Sequence, residues 1–284
     1  FALLDIISIT HLINIRPLIT HSWLAWGVLI GFISILLIVG NIVYYNKKRV
    51  EIDIKIDKPL TRPLRIVAIS DLHLGYGIKK DELEGWIGLI NAENPDIVLI
   101  AGDVVDNFAK PLFEDKVYKT LRRIKARYGV YMALGNHEYI GGEIDRNLNF
   151  LSQSNVQVLR DSATLIDNTF YIIGRDDASR KYRNSLANIT DRLDHTKPMI
   201  VLDHQPSGFE EAQKCGIDLL LSGHTHGGQV FPISLVVKAV FKHSYGYHTA
   251  NGTHFYITSG LGIWGGKFRI GSRSEYVVID LQGR

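Results

Sequence analysis

Sulfur is scarce in this chain of 284 residues, which has one cysteine and two methionines. Cys215 alone can form neither an internal disulfide nor a thiolate metal site, so a metal would have to be held by harder ligands. No P-loop pattern is present, and no serine or cysteine has the neighbourhood of a triad nucleophile. Repeats, low-complexity tracts and a basic recognition helix are lacking too. The net charge of +3 is mild, and much of the basic excess falls beside an apolar run. Nucleic acid is therefore not an expected partner, and no protein partner is predicted.

The longest absence is of charge itself. From Trp23 to Tyr45, 23 residues pass without Asp, Glu, Lys or Arg. A helix of that length reaches roughly 34 Å, enough to cross a hydrocarbon core of about 30 Å. Trp23 and Trp26 at one end, and Tyr44 and Tyr45 at the other, suit the two bilayer interfaces. Lys47-Lys48-Arg49 follows, which puts the chain beyond it on the cytoplasmic face of a bacterial-type inner membrane. The run is too long, and too aromatic at its ends, for a signal peptide. Residues 1–22 form a further apolar, membrane-associated segment, interrupted by Asp5, His11 and Asn14. An earlier spanning helix, a re-entrant piece and an interfacial helix all fit it, and Phe1 in place of Met sets the expected true start upstream. Residues 46–61 read as a juxtamembrane linker and edge strand, because apolar and charged positions alternate from Val50 to Asp57. Residues 62–284 then make one α/β domain of ordinary size.

Within that domain five apolar runs each end in Asp, Asn or His. Arg65–Ser70 leads to Asp71-Leu72-His73, and Asp96–Ala101 to Gly102-Asp103. Val130–Leu134 leads to Gly135-Asn136-His137-Glu138, and Met199–Leu202 to Asp203-His204. Leu219–Leu221 leads, through Ser222, to Gly223-His224-Thr225-His226-Gly227-Gly228-Gln229. Open α/β sheets build their sites at strand ends in this way. Asp71-x-His73 and His224-x-His226 each set two donors on one side of an extended segment. Imidazole, carboxylate and amide oxygen without thiolate suit Mn, Fe, Zn or Mg. The candidates Asp71, His73, Asp103, Asn136, His204, His224 and His226 exceed the needs of one ion, so two divalent ions are implied. Asp103 is the natural bridge, because Gly102 lets the backbone turn sharply there. Asp203 competes with His204 for one position.

Taken in order, DLH, GD, GNHE, an isolated His before Pro, and GHTHGGQ resemble the motif set of the calcineurin-like metallophosphoesterases. The resemblance is strongest to the bacterial membrane-associated branch with GHTHGGQ, and it covers Leu64 to the C-terminus. It implies a layered α/β sandwich of two mixed β-sheets flanked by helices. It implies Asp71, His73, Asp103 and His226 around one metal, and Asp103, Asn136, His204 and His224 around the other. His137 would be the non-ligand histidine that stabilises charge on the phosphoryl group or protonates the leaving alcohol. The implied reaction is hydrolysis of a phosphodiester or pyrophosphate bond by a metal-bridged hydroxide, without a covalent enzyme intermediate. Two rivals stand beside it: a membrane-tethered protein that binds metal or phosphate without turnover, and a metal-dependent nuclease. The complete ligand set counts against the first, and the spanning run against the second.

Helices are expected over 80–94, 112–127 and 143–154, the first with Leu83, Trp86, Ile87 and Ile90 on one face. The run from Val230 to Lys242 is apolar, with Val236, Val237, Val240 and Phe241 beside Lys238 and Lys242. It reads either as a face packed into the domain or as a lip that admits an acyl chain. The lip would suit a lipid substrate, a phospholipid or a lipid-linked pyrophosphate such as UDP-2,3-diacylglucosamine. Asn107, Tyr139, His243, His248 and Arg269 could contribute substrate contacts, against a plainer surface or packing reading of each, and no substrate-binding residue is assigned.

Overall fold

The uncharged run folds as a single helix, α1 (Trp23–Tyr45), in a computed structural model that describes residues 23–284. The expected apolar segment 1–22 lies outside the described residues. An 18-residue window of the helix has a mean hydropathy of 2.4, and only Gly40 and Tyr44 in the helix are buried. It is the one helix among the described residues long and apolar enough to span a bilayer. Its last turns are docked on the domain. The Gly40 carbonyl accepts the Arg269 N–H at 2.9 Å, an approach so close that a Cβ there would lie 3.1 Å from Phe268 Cβ. Asn41 Nδ2 donates to the Lys267 carbonyl at 2.7 Å, and Tyr44 OH donates to Glu82. Tyr44, expected at the bilayer interface, is instead buried here, while Tyr45 stays exposed. A phenol tolerates burial once its hydroxyl has a partner. The basic triplet is also partly consumed. Lys47 lies over the Tyr44 and Trp86 rings, and Arg49 pairs with Glu51 and Glu93.

The chain continues as β1 (Lys48–Lys55), β2 (Leu64–Ile69), α2 (Lys80–Ala92), β3 (Ile97–Ala101), α3 (Lys110–Glu114), α4 (Val117–Leu121) and β4 (Val130–Ala133). Next come α5 (His137–Ile140), α6 (Ile144–Gln153), β5 (Val156–Leu159), β6 (Ser162–Ile166), β7 (Phe170–Gly174), α7 (Leu186–Thr190) and β8 (Met199–Leu202). It ends with α8 (Phe209–Lys214), β9 (Leu219–Ser222), α9 (Ile233–Val240), β10 (Gly246–Ala250), β11 (Thr253–Ile257) and β12 (Glu275–Gln282). The expected helix over 112–127 is two short ones, because Lys116 between them takes φ 54°, which no right-handed helix accommodates.

The strands form two six-stranded mixed sheets, ordered β1-β12-β2-β3-β4-β5 and β10-β11-β9-β8-β7-β6. Neighbouring strands run parallel except in the pairs β12–β2, β10–β11 and β6–β7, which are antiparallel. As the alternation of Val50, Ile52 and Ile54 predicts, β1 is an edge strand. The sheets meet on Leu99, Tyr131, Ile172, Ile200, Leu221 and Ile279. Leu83, Trp86, Ile90 and Phe150 seal the outer face of the first sheet. Leu186, Phe209 and Ala212 do so for the second. This is the layered sandwich the resemblance implies. Strands buried on both faces are almost purely apolar, as β3 and β8 are, so their first polar residues fall in the loops beyond them.

Candidate metal centre

The loops after β2, β3, β4, β8 and β9 carry the seven candidate donors, and the fold brings all seven into one cluster. His73 Nε2 faces His226 Nε2 at 3.2 Å, and Asp71 Oδ1 lies 3.4 Å from His226 Nε2. On the other side, His204 Nε2 is 3.1 Å from Asp103 Oδ2. Asn136 Oδ1 lies 3.1 Å from His204 Nε2 and 3.0 Å from His224 Nδ1. Two groups of donor atoms, Asp71/His73/His226 and Asp103/His204/His224, each fall within 4.8 Å. They meet at Asp103, whose Oδ2 is also 3.9 Å from His73 Nε2.

Convergence of this kind is costly to the backbone. Asp71, His73, Asp103, His224 and His226 all have φ between 46° and 68°. That left-handed region costs an ordinary residue on the order of 1 kcal/mol, a strain that collects at functional sites. Gly102, at φ 86°, has no room for a side chain, because a Cβ would overlap the His204 ring.

Hydrogen bonds behind the donors orient them. A carbonyl can only accept, so His204 Nδ1–H donates to Ala101 O at 2.7 Å and leaves Nε2 as the free donor atom. His73 Nδ1–H donates in the same way to Asp106 Oδ1 at 3.1 Å. Such partners fix tautomer and ring angle in metal sites. Glu138, wholly buried, accepts N–H groups from Asp103, Val105 and Gly135 at 3.1, 3.0 and 2.8 Å. Burial, then the charge of Asp103, pushes its carboxyl up to about 8. Burial alone would raise the Asp103 carboxyl too, but the His204 imidazole beside it holds it well below the usual range. Burial and the neighbouring histidines His204 and His73 lower the imidazoles of His224 and His226 respectively. Burial would lower the His204 imidazole, but the Asp103 carboxylate beside it raises it well above its ordinary value. Carboxylate, imidazole and amide oxygen gathered in this way are a donor set that fits divalent metal ions.

His137, outside the seven, forms a further group of close donor atoms with His73 and Asp106. Its Nδ1–H donates to Asp106 O at 2.7 Å, its ring lies 4.5 Å from that of His73 edge to face, and its backbone N–H donates to Asp103 Oδ1 at 2.9 Å. Burial would lower its imidazole, but the Asp106 carboxylate and then Asp103 raise it to about 9. Asp203, the rival of His204, turns away to Arg175 at 3.2 Å and to Arg183.

Asp106 and Glu138 are the residues missed in the sequence. Glu138 stood inside the GNHE motif without a role, and Asp106 only follows Asp103 by three positions. Arg269 is no surface contact. It is buried, with Nη1 donating to His226 O at 2.7 Å and Nη2 to Ser259 O and Gly262 O at 2.8 and 2.9 Å. Tyr139 OH donates to Asp176, and His243 packs against His248 and Phe209.

Residues 64–228 match the family model described as calcineurin-like phosphoesterase. The chain is 35% identical over 240 residues to an uncharacterised metallophosphoesterase of Campylobacter jejuni, covering 82% of this chain and 63% of that one. It is 33% identical over 234 residues to an uncharacterised metallophosphoesterase of Aquifex aeolicus, covering 80% and 88%. A transmembrane protein with metallophosphoesterase domain from Danio rerio is 31% identical over 252 residues, covering 83% of this chain and 57% of that protein.

Proposed function

The chain belongs to the calcineurin-like phosphoesterase family, and on that premise we propose that it is a membrane-anchored, dinuclear-metal hydrolase of a phosphodiester or pyrophosphate bond. Asp71, His73, Asp103 and His226 hold one divalent ion, and Asp103, Asn136, His204 and His224 the other. The observation that carries this reading is the place of Asp103, whose carboxylate faces both donor groups. Two such ions, when bound, supply an activated water and neutralise charge on the phosphoryl oxygens. The protein's own part is orientation. Ala101 O and Asp106 aim the ligand imidazoles, and Glu138 holds the backbone of the Asp103 and Gly135 turns together. His137, with Nδ1 committed to Asp106, offers Nε2 to the leaving oxygen.

A lipid substrate is supported by what surrounds the site. No residue of α9 is buried, and Ile233, Leu235, Val236 and Val240 are all more than half exposed. Phe241 lies 6.0 Å from the His224 ring and Trp264 6.4 Å from that of His137. An apolar helix and two aromatic rings thus border the donors on the side an acyl chain would need. The domain organisation follows: α1 as the anchor over 23–45, residues 46–61 as the juxtamembrane strand, and 62–284 as the catalytic unit on the cytoplasmic face. Metal analysis of the purified chain, with a panel of bis-p-nitrophenyl phosphate, nucleotides, phospholipids and nucleotide-sugar lipids, tests the reading. Two bound ions and turnover of a diester are expected; a full chain that binds no divalent ion and hydrolyses none of the panel refutes it.

A further inference from the structure

A cavity of about 540 Å³ lies between α1 and the domain, beside the Gly40–Arg269 contact, within the range of small-molecule sites. One wall is the membrane helix. Leu36, Val39 and Val43 line it together with Gly40, positions that share one face of a helix over about 10 Å of its length. The facing wall carries Lys48, Lys238 and Arg273. All three are exposed, and none makes an ion pair among the described residues. At the base lies Arg269, 1% exposed, whose Nε has no hydrogen-bond partner. Gly227 also lines the cavity, yet none of the seven donors does. The space therefore lies behind the His224–Gly228 loop and not on the metal side of it.

We propose that this cavity binds one anionic phospholipid of the leaflet next to the domain, as a site separate from the metal centre. The occupant follows from the two walls. An apolar strip belonging to a spanning helix suits an acyl chain, and three unpaired cations where that helix leaves the bilayer suit a phosphate headgroup. Exposed Ile233, Leu235, Val236 and Val240 on α9, the helix that also contributes Lys238, keep this rim against the membrane. The bound lipid would brace a hydrogen-bonded link between anchor and site. Arg269 takes the Gly40 carbonyl on its backbone N–H and holds the His226 carbonyl with its guanidinium. The anchor helix is thus two hydrogen bonds from a donor of the cluster. The proposal rests on the membrane-anchored reading but not on hydrolysis.

The test is native mass spectrometry of the full chain in non-ionic detergent, titrated with phosphatidylglycerol, with phosphatidylcholine of the same acyl chains, and with inorganic phosphate. One phosphatidylglycerol adduct is expected, at least tenfold preferred over phosphatidylcholine and not displaced by phosphate. Each basic residue near an anionic headgroup is worth roughly fivefold, so Lys238→Gln with Arg273→Gln should weaken the adduct roughly 25-fold. Val39→Trp, which fills the cavity from the helix side, should remove it with metal content unchanged. Stripping metals with a chelator should leave phosphatidylglycerol binding as it was. Equal binding of the two lipids, or indifference to both sets of substitutions, means annular lipid only and overturns the proposal. Displacement by phosphate makes it a soluble-anion site, and loss of binding on chelation makes the lipid a substrate on the metals; either also overturns it.

Discussion

Asp106 offers the sharpest test of how the centre is built, because one carboxylate oxygen serves two histidines unequally. Asp106 Oδ1 lies 3.1 Å from His73 Nδ1 and 3.3 Å from His137 Nδ1. His137 also has the Asp106 carbonyl at 2.7 Å, and no side-chain substitution removes that bond. His73 Nδ1 has only the carboxylate. Asp106→Ala should therefore fall on the ion proposed at His73, more than on the chemistry proposed for His137. A hydrogen bond to a charged group contributes about 1.5–3 kcal/mol, and loss of such a partner to a metal-bound histidine costs about 10–100-fold in metal affinity. Asp106→Asn keeps an oxygen that can accept from His73, so its loss should be about tenfold, at the low end of that range. Turnover of bis-p-nitrophenyl phosphate is to be measured against free Mn²⁺. The metal concentration for half-activity should rise in the order wild type, Asp106→Asn, Asp106→Ala, with kcat at saturating metal falling less than about tenfold. Unchanged metal dependence together with a collapsed kcat would refute the reasoning and assign Asp106 to His137 alone.

Asp103→Asn should lower bound metal at both positions and abolish turnover, whereas His73→Ala or His204→Ala should mainly weaken one ion; two retained ions with wild-type turnover in Asp103→Asn would sink the bridging role. His137→Ala should reduce kcat by about 10²–10⁴-fold at unchanged metal content, and metal loss alongside activity would make it a structural residue. Lys47 is held near the Tyr44 and Trp86 rings, and burial pulls its ammonium from 10.5 down to about 7. Between those values the unfolded chain carries a proton the folded chain lacks, so this group makes stability rise with pH over that window, its penalty complete below it. Lys47→Met should flatten that slope and stabilise the protein at pH 7 by roughly 2 kcal/mol after the attraction of the rings is subtracted; thermal unfolding of both proteins from pH 6 to 10 decides it. A C-terminal reporter should be active only in the cytoplasm, and activity on the far side of the membrane would reverse the topology.

What could be read ahead of the structure was whatever depends on neighbours in sequence. Five apolar runs became five buried strands because a strand covered on both faces must be apolar throughout, and the first polar residue past it falls in the loop. Asp71, Asp103, Asn136, His204 and His224 were exposed to inference by that rule. Asp106 was not, since its meaning lies in contacts 33 residues back and 31 forward. Nor was the fate of Tyr44 and Lys47. A lipid-facing turn and a docked one have the same composition, and only Glu82 and Trp86, brought up by α2, distinguish them. The segment from Val230 to Lys242 shows the same limit from the other side. Its periodicity announces an apolar face but not what covers it, and among the described residues nothing buries α9. Such a face would be a liability on a protein free in solution. Beside a 23-residue apolar helix docked through Gly40, Asn41 and Tyr44, it would, on the proposed anchored reading, become part of one membrane-facing surface. On that reading the helix would be no simple tether: its docking would set the depth at which α9 and the donor loops meet the bilayer.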